Sequence, residues 1–133
     1  MIHVVIDTNV LVSALSSKSK YHKIITHILQ GEINVYLTNE ILFEYEEILS
    51  QKYSHVTSIF FINALKELPN VYFTEIYFRW NILKDEDDNK FTDCYIASPA
   101  NFLITNDRGF KILETVTFPK VNCITIESFL DML

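Results

Sequence analysis

The sequence predicts an α/β fold of three layers, α/β/α, around a central parallel sheet of about five strands. Three observations predict it. Apolar, partly β-branched runs alternate with stretches of helical spacing along the whole chain, the order that builds a parallel sheet covered on both faces. The first run, Ile2-His3-Val4-Val5-Ile6, has the near-continuous apolar character of a strand buried on both sides. Acidic residues, Asp7 and Asp107, close two of the runs, where such sheets place their binding crevice.

Taken in order, Ile2 to Ile6 is the first strand, and Asn9 to Ser16 and Tyr21 to Leu29 follow with helical spacing. Ile24, Ile25, Ile28 and Leu29 form the apolar stripe of the second helix, which Gly31 stops. Ile33 to Leu37 alternates as a strand, and Thr38 or Asn39 caps a helix from Glu40 to Gln51. Val56 to Leu68 is helical and is closed by Pro69-Asn70, after which Val71 to Phe73 and Ile76 to Phe78 are extended. The charged turn Lys84 to Lys90 opens a helix that runs from Asp88 to Ala97 and ends near Pro99. Phe102 to Thr105 is a strand, Asp107 to Leu113 a helix, and Val121 to Ile126 a strand before a short terminal helix.

The chain has 133 residues, 49% of them hydrophobic, which suits one domain over residues 1–133 with a core of its own. No apolar run reaches the roughly 20 residues that a membrane-spanning helix needs, and Asp7 interrupts the apolar start too early for a signal peptide. A cytoplasmic protein is expected. The cysteines, Cys94 and Cys123, have no metal or redox spacing and suit buried reduced thiols. A net charge of −6 excludes coating of nucleic acid by bulk attraction. It leaves room for a local cluster of carboxylates beside a basic groove, to which Lys18, Lys20, Lys23, Lys52, Lys90, Arg108 and Lys111 are available.

The chemistry sits in those carboxylates. Asp7 and Asp107 are carried to the carboxyl edge of the sheet by apolar strands. On the helix Glu40 to Gln51, Ile41, Tyr45, Ile48 and Leu49 mark the buried stripe, and Glu44 borders it while Glu46 and Glu47 point away. Asp93 borders the core of the next acidic helix in the same way, three residues before Ile96. Asp88 stands at that helix's start, where capping competes with a metal role. Carboxylates gathered from distant stretches repel one another, and an all-oxygen set without His or Cys favours Mg²⁺ or Mn²⁺, ions that activate water for attack on a phosphodiester.

Four segments then resemble one known family. Val5-Ile6-Asp7-Thr8-Asn9-Val10-Leu11-Val12-Ser13-Ala14 is similar to the opening of PIN-domain nucleases, and Asn39-Glu40-Ile41-Leu42-Phe43-Glu44-Tyr45 to their second acidic motif. Asp85 to Phe91 with Thr92-Asp93-Cys94-Tyr95-Ile96-Ala97 resembles the D-x-x-D-N-K-F and D-x-x-I-A segments, and Leu103-Ile104-Thr105-Asn106-Asp107 the final T-x-D motif. The match runs in order over the whole chain, and the third motif is similar to a bacterial subgroup of VapC-type toxins. The resemblance implies a PIN-like fold, Mg²⁺- or Mn²⁺-dependent cleavage of single-stranded RNA, a homodimer, and a small antitoxin partner. It assigns the metal centre to Asp7, Glu44, Asp93 and Asp107, with Asp88 a fifth ligand candidate. Asn9 and Thr105 match polar positions that support the carboxylates, and Asn89 is assigned with them. The short Ser98-Pro99-Ala100-Asn101 link departs from relatives with a longer helix there.

Other readings fit fewer residues. An acid after a strand is often a helix cap, and the aromatics Phe73, Tyr77, Phe78 and Trp80 suit packing as well as base stacking. The histidines His3, His22, His27 and His55 lack ligand spacing. A haloacid-type phosphatase needs a second Asp where Asn9 stands. A PIN-like module that binds RNA or protein without cutting is the main alternative.

Overall fold

The computed structural model describes residues 1–133. Its centre is β1 (Ile2–Ile6), flanked by β2 (Ile33–Leu37) and β4 (Phe102–Ile104), with β3 (Val71–Phe73) and β5 (Cys123–Ile124) at the edges. The order is β3-β2-β1-β4-β5, and every pairing is parallel. The helices are α1 (Thr8–Leu15), α2 (His22–Leu29), α3 (Asn39–Lys52), α4 (His55–Glu67), α5 (Asn89–Ala97) and α6 (Ile126–Asp131). The chain steps outward from β1 through β3, then reverses to reach β4 and β5. With right-handed crossovers, that reversal puts helices on both faces and gives the three-layer α/β/α fold.

The registers pair Val4 with Val35 on one side and with Phe102 on the other, and Ile6 with Ile104. Val4, Val5, Ile6, Leu103 and Ile104 are wholly or almost wholly buried, as a strand covered on both faces requires. Helix starts follow local chemistry. Thr38 accepts the Ile41 amide at 3.2 Å to cap α3, and Ser54 accepts the Thr57 amide at 3.0 Å to cap α4. Gly31 adopts φ 78° just past α2, a left-handed conformation that ends the helix without a Cβ penalty. Asn70, buried, donates to the carbonyls of Ile28 and Ile33 at 2.9 and 2.6 Å, tying the end of α2 to the start of β2.

Some expected elements are shorter or different. Val121 to Ile126 contracts to β5, an edge strand paired on one side alone. Ile76 to Phe78 forms no strand: the Thr74 amide makes a last bond to Leu37 before the chain leaves the sheet to cross toward β4. The stretch after Asp107 is 3₁₀, Arg108–Thr115, and a 3₁₀ turn, Glu86–Asp88, precedes α5, so that helix starts at Asn89. The Ser98–Asn101 link docks against β1, where Asn101 donates to His3 O at 2.7 Å and accepts from His3 N at 3.2 Å. Both cysteines are free, and burial pushes the Cys94 thiol up to about 12 and the Cys123 thiol to about 11, which disfavours the thiolate.

Tyr45 of α3 is fully buried, and its hydroxyl donates to the carbonyl of Ile6, the last residue of β1. That bond couples the helix carrying Glu44 to the strand carrying Asp7. Tyr45→Phe removes the donor and leaves a buried carbonyl short of a partner, for an expected loss of about 1–2 kcal/mol. Equilibrium urea denaturation measures it; an unchanged midpoint would show the bond contributes nothing.

Candidate metal centre

Asp7 follows β1 directly and precedes α1, at the point where the neighbouring strands β2 and β4 leave on opposite sides. That divergence is where open α/β sheets leave a crevice beyond their carboxyl ends. The Asp7 side chain does not cap α1. Its Oδ2 accepts from the Thr105 hydroxyl at 2.7 Å, and the Thr105 oxygen in turn accepts the Asp107 amide at 3.1 Å. One buried hydroxyl therefore spans the ends of β1 and β4. Asp107 Oδ1 accepts the Gly109 amide at 2.8 Å. Asp7, Asn9, Val10, Ser13, Asn106 and Asp107 line a hollow of ≈ 230 Å³.

Glu44 reaches the same edge from α3. One oxygen takes the Thr8 hydroxyl, and the other pairs with Lys90 Nζ at 2.8 Å. Asp88, ending the 3₁₀ turn before α5, faces Asp107: a Cβ added at Gly109 would lie 3.3 Å from Asp107 Oδ1 and 3.6 Å from Asp88 Oδ2. Glycine at 109 thus keeps open the gap between two carboxylates. Burial is the main cause that raises the Asp7 carboxyl above its ordinary range; hydrogen bonds from Thr105 and the Thr8 backbone oppose it, and the charges of Glu44 and Asp107 reinforce it. Burial likewise pushes Asp88 up to about 6, helped by Asp85, Asp107, Asp7 and Glu44.

The structure therefore brings together Asp7, Glu44, Asp88 and Asp107. It does not bring Asp93 to them. That side chain is buried on α5 with Oδ1 accepting the Trp80 amide at 3.0 Å, in a separate polar hollow with Glu40 and Arg79. Burial raises its carboxyl, the Trp80 amide and Arg79 lower it, and of the other acids Glu40 alone acts on it. A carboxylate bordering the core does need a partner, and here the partner is a backbone amide. Asn89 is likewise turned to the preceding loop, accepting from Leu83 N at 2.9 Å and donating to Leu83 O at 3.3 Å. Asn9 lines the hollow with Asp7, and Thr105 joins Asp7 to Asp107.

The donor set is all carboxylate oxygen, which suits a hard divalent cation, and the mutual repulsion of these groups is what such a cation relieves. No three acidic, histidine or cysteine side chains stand close enough to encage an ion among them.

Residues 3–109 match the model of the PIN domain family. The chain belongs to the PIN domain family. This is a family of nucleases that generally use divalent metal ions. Among solved structures, the chain resembles VapBC2 from Rickettsia felis bound to a DNA fragment from its promoter, with TM-score 0.63 at 14% identity, over 93% of this chain and 98% of that one. It also resembles the PIN domain of human SMG5, with TM-score 0.54 at 11% identity, over 98% of this chain and 97% of that one. These likenesses show the shared PIN fold. No curated protein matches the chain by sequence.

Within this PIN domain, sequence reasoning missed Lys90, Thr8 and Gly109 as partners of the acids. Lys90 and Gly109 had a signal: each lies two residues from an acid, in Asp88-Asn89-Lys90 and Asp107-Arg108-Gly109. A carboxyl raised from 3.8 to about 6 on folding contributes stability that is fully present below about pH 3.8 and lost as the pH rises through about 6. Asp88→Asn should accordingly raise the Tm of the metal-free protein at pH 7.5 by a few degrees, with the gain vanishing below about pH 4. Millimolar Mn²⁺ should raise the Tm of the unmodified chain at pH 7.5 and do so less in Asp88→Asn. Thermal scans at several pH values check both, and a variant curve parallel to the parent would contradict the repulsion.

Proposed function

We propose that this PIN domain is a Mg²⁺- or Mn²⁺-dependent endoribonuclease that hydrolyses phosphodiester bonds of single-stranded RNA in the cytoplasm, and that it is the toxin of a toxin–antitoxin pair. The observation that carries the reading is the convergence of Asp7, Glu44, Asp88 and Asp107 at the sheet's point of divergence, each raised by or raising its neighbours electrostatically. Asp7, Asp88 and Asp107 are assigned as the groups that hold the ion, directly or through water. Glu44, half-neutralised by Lys90, completes the set and fixes the position of Thr8 beside Asp7. When bound, a divalent ion supplies an activated water and neutralises charge on the departing oxygen.

The protein's own groups do the rest. Thr105 holds Asp7 in one orientation and leaves its other oxygen facing the hollow. Asp107, tied at its amide to Thr105 and at Oδ1 to Gly109, is fixed in the same frame. Asp93 is assigned a structural role, anchoring the loop before α5. No helix is long and apolar enough to cross a membrane.

The antitoxin and homodimer readings rest on the fold shared with the VapBC2 complex and on apolar surface. Val56 and Phe60 on α4 and Phe43 on α3 are 63%, 75% and 66% exposed, apolar surface that a partner could cover. A binding module without catalysis is the second reading, favoured by the absence of any three side chains able to encage an ion. Calorimetric titration with Mn²⁺ separates the two, since no heat at millimolar metal would favour the module.

Incubation of single-stranded RNA with Mn²⁺ should give cleavage that chelation stops. Asp7→Asn and Asp107→Asn should each lower it by at least about a hundredfold, since disturbing even the outer partners of metal ligands costs 10–100-fold. Asp88→Asn should match them, whereas Asp93→Asn should lower the Tm and retain most activity. Equal loss in Asp93→Asn and Asp88→Asn at a temperature where both are folded would return Asp93 to the centre.

A further inference from the structure

The acidic hollow does not stand alone. It shares Asn9 and Ser13 with a hollow that ends at Lys52 and Tyr53, and Asn106 and Asp107 with another that contains Lys111. The three form one furrow across the carboxyl edge of the sheet, with the carboxylates in the middle and a lysine on each side. Neither Lys52 nor Lys111 enters an ion pair, while Lys20 and Lys90 are bound to Glu127 and Glu44. Both are exposed, so their charges are available to a ligand. Tyr53, beside Lys52, donates its hydroxyl to the Val12 carbonyl at 2.9 Å and is 42% exposed, a partly open aromatic residue held in place.

A polyanion crossing this furrow meets Lys52, the carboxylate centre, and then Lys111 with Glu114 beside it. A divalent ion at the centre would offset the carboxylate charge and offer phosphate a coordination position there. We infer that a single strand of RNA lies along the furrow, with Lys52 and Lys111 holding phosphates on opposite sides of the one to be cut and Tyr53 stacking a base on the Lys52 side. This rests on the nuclease reading for which phosphate is cut, though the strand's path follows from the furrow and its two free charges. Lys52 and Lys111 are positioning residues: they set where the strand lies and take no part in bond breaking.

The test is fluorescence anisotropy with a labelled single-stranded RNA oligonucleotide, in an Asp7→Asn background where turnover is at least about a hundredfold slower, with millimolar Mn²⁺ present and over a range of monovalent salt. Lys52→Ala and Lys111→Ala should each weaken binding by about tenfold and lower the log–log salt slope by about 0.7, the value for one phosphate contact on a single strand. Lysine-to-arginine changes at the same positions should preserve both. Lys66→Ala, on α4 and outside the furrow, removes the same charge and should change neither. With Asp7 restored, Lys52→Ala and Lys111→Ala should raise KM for the oligonucleotide more than they lower kcat. An unaltered affinity and slope in both alanine variants, an equal effect from Lys66→Ala, or no binding of RNA at all would overturn the proposal. RNA held through both lysines by a parent chain that never cleaves it would uphold the furrow and defeat the nuclease reading.

Discussion

The hydroxyl of Thr105 is the constraint on which the site depends. It gives its proton to Asp7 and takes the amide of Asp107, so the ends of β1 and β4 are joined where the sheet's connections diverge. The strands bring those two acids to one edge, but pairing alone leaves their side chains free to turn away from each other. Repulsion would favour that. Turning Asp7 away would leave the buried Thr105 hydroxyl without its acceptor, and the Gly109 amide holds the Asp107 carboxylate, so both charges stay at the hollow.

The same logic extends outward. Glu44 is held by Thr8 on one oxygen and by Lys90 on the other, and Lys90 directly follows Asn89, which fixes the loop leading to Asp88. Asp7 and Glu44 are thus oriented by neighbours that belong to different elements, and the cluster is a product of the whole fold. Such an assembly is unfavourable in the metal-free chain, as the raised carboxyls of Asp7 and Asp88 show. The core of strands buried on both faces must offset that cost, which explains why the charges stand at the sheet's edge, where β1 ends and water begins.

Most of the fold was legible because it is written in periodicity. Five apolar runs, separated by helical stretches, specify parallel strands, and Asp7, Glu44 and Asp107 follow from their places at strand ends or beside a buried stripe. Asp88 and Asp93 show where that reasoning stops. They sit five residues apart on the 3₁₀ turn and helix of one segment, and the apolar spacing favours Asp93 as the buried one. It is buried, at 2% exposure, yet burial says only that a partner exists. The partner is the Trp80 amide, on a loop without regular structure and without a periodic signal. The length of α5 was blurred for a related reason. A 3₁₀ turn and an α-helix differ by one residue per hydrogen bond, and composition does not distinguish them at a charged start.

A chain of net charge −6 must still admit a polyanion if it is to act on one, and the distribution of its charges explains how. Exposed charges are screened beyond about 8 Å at physiological salt, so an approaching phosphate responds to its immediate surroundings and little to the total. Along the furrow those surroundings are Lys52 and Lys111, both outside any ion pair, with Glu114 beside Lys111, and between them the carboxylates of Asp7 and Asp107, whose charge a divalent ion would offset. Without the ion the centre repels the strand that its flanks attract. On the nuclease reading, metal and nucleic acid would bind with positive linkage, because the ion offsets the carboxylates' repulsion of phosphate and the phosphate adds charge that attracts the ion.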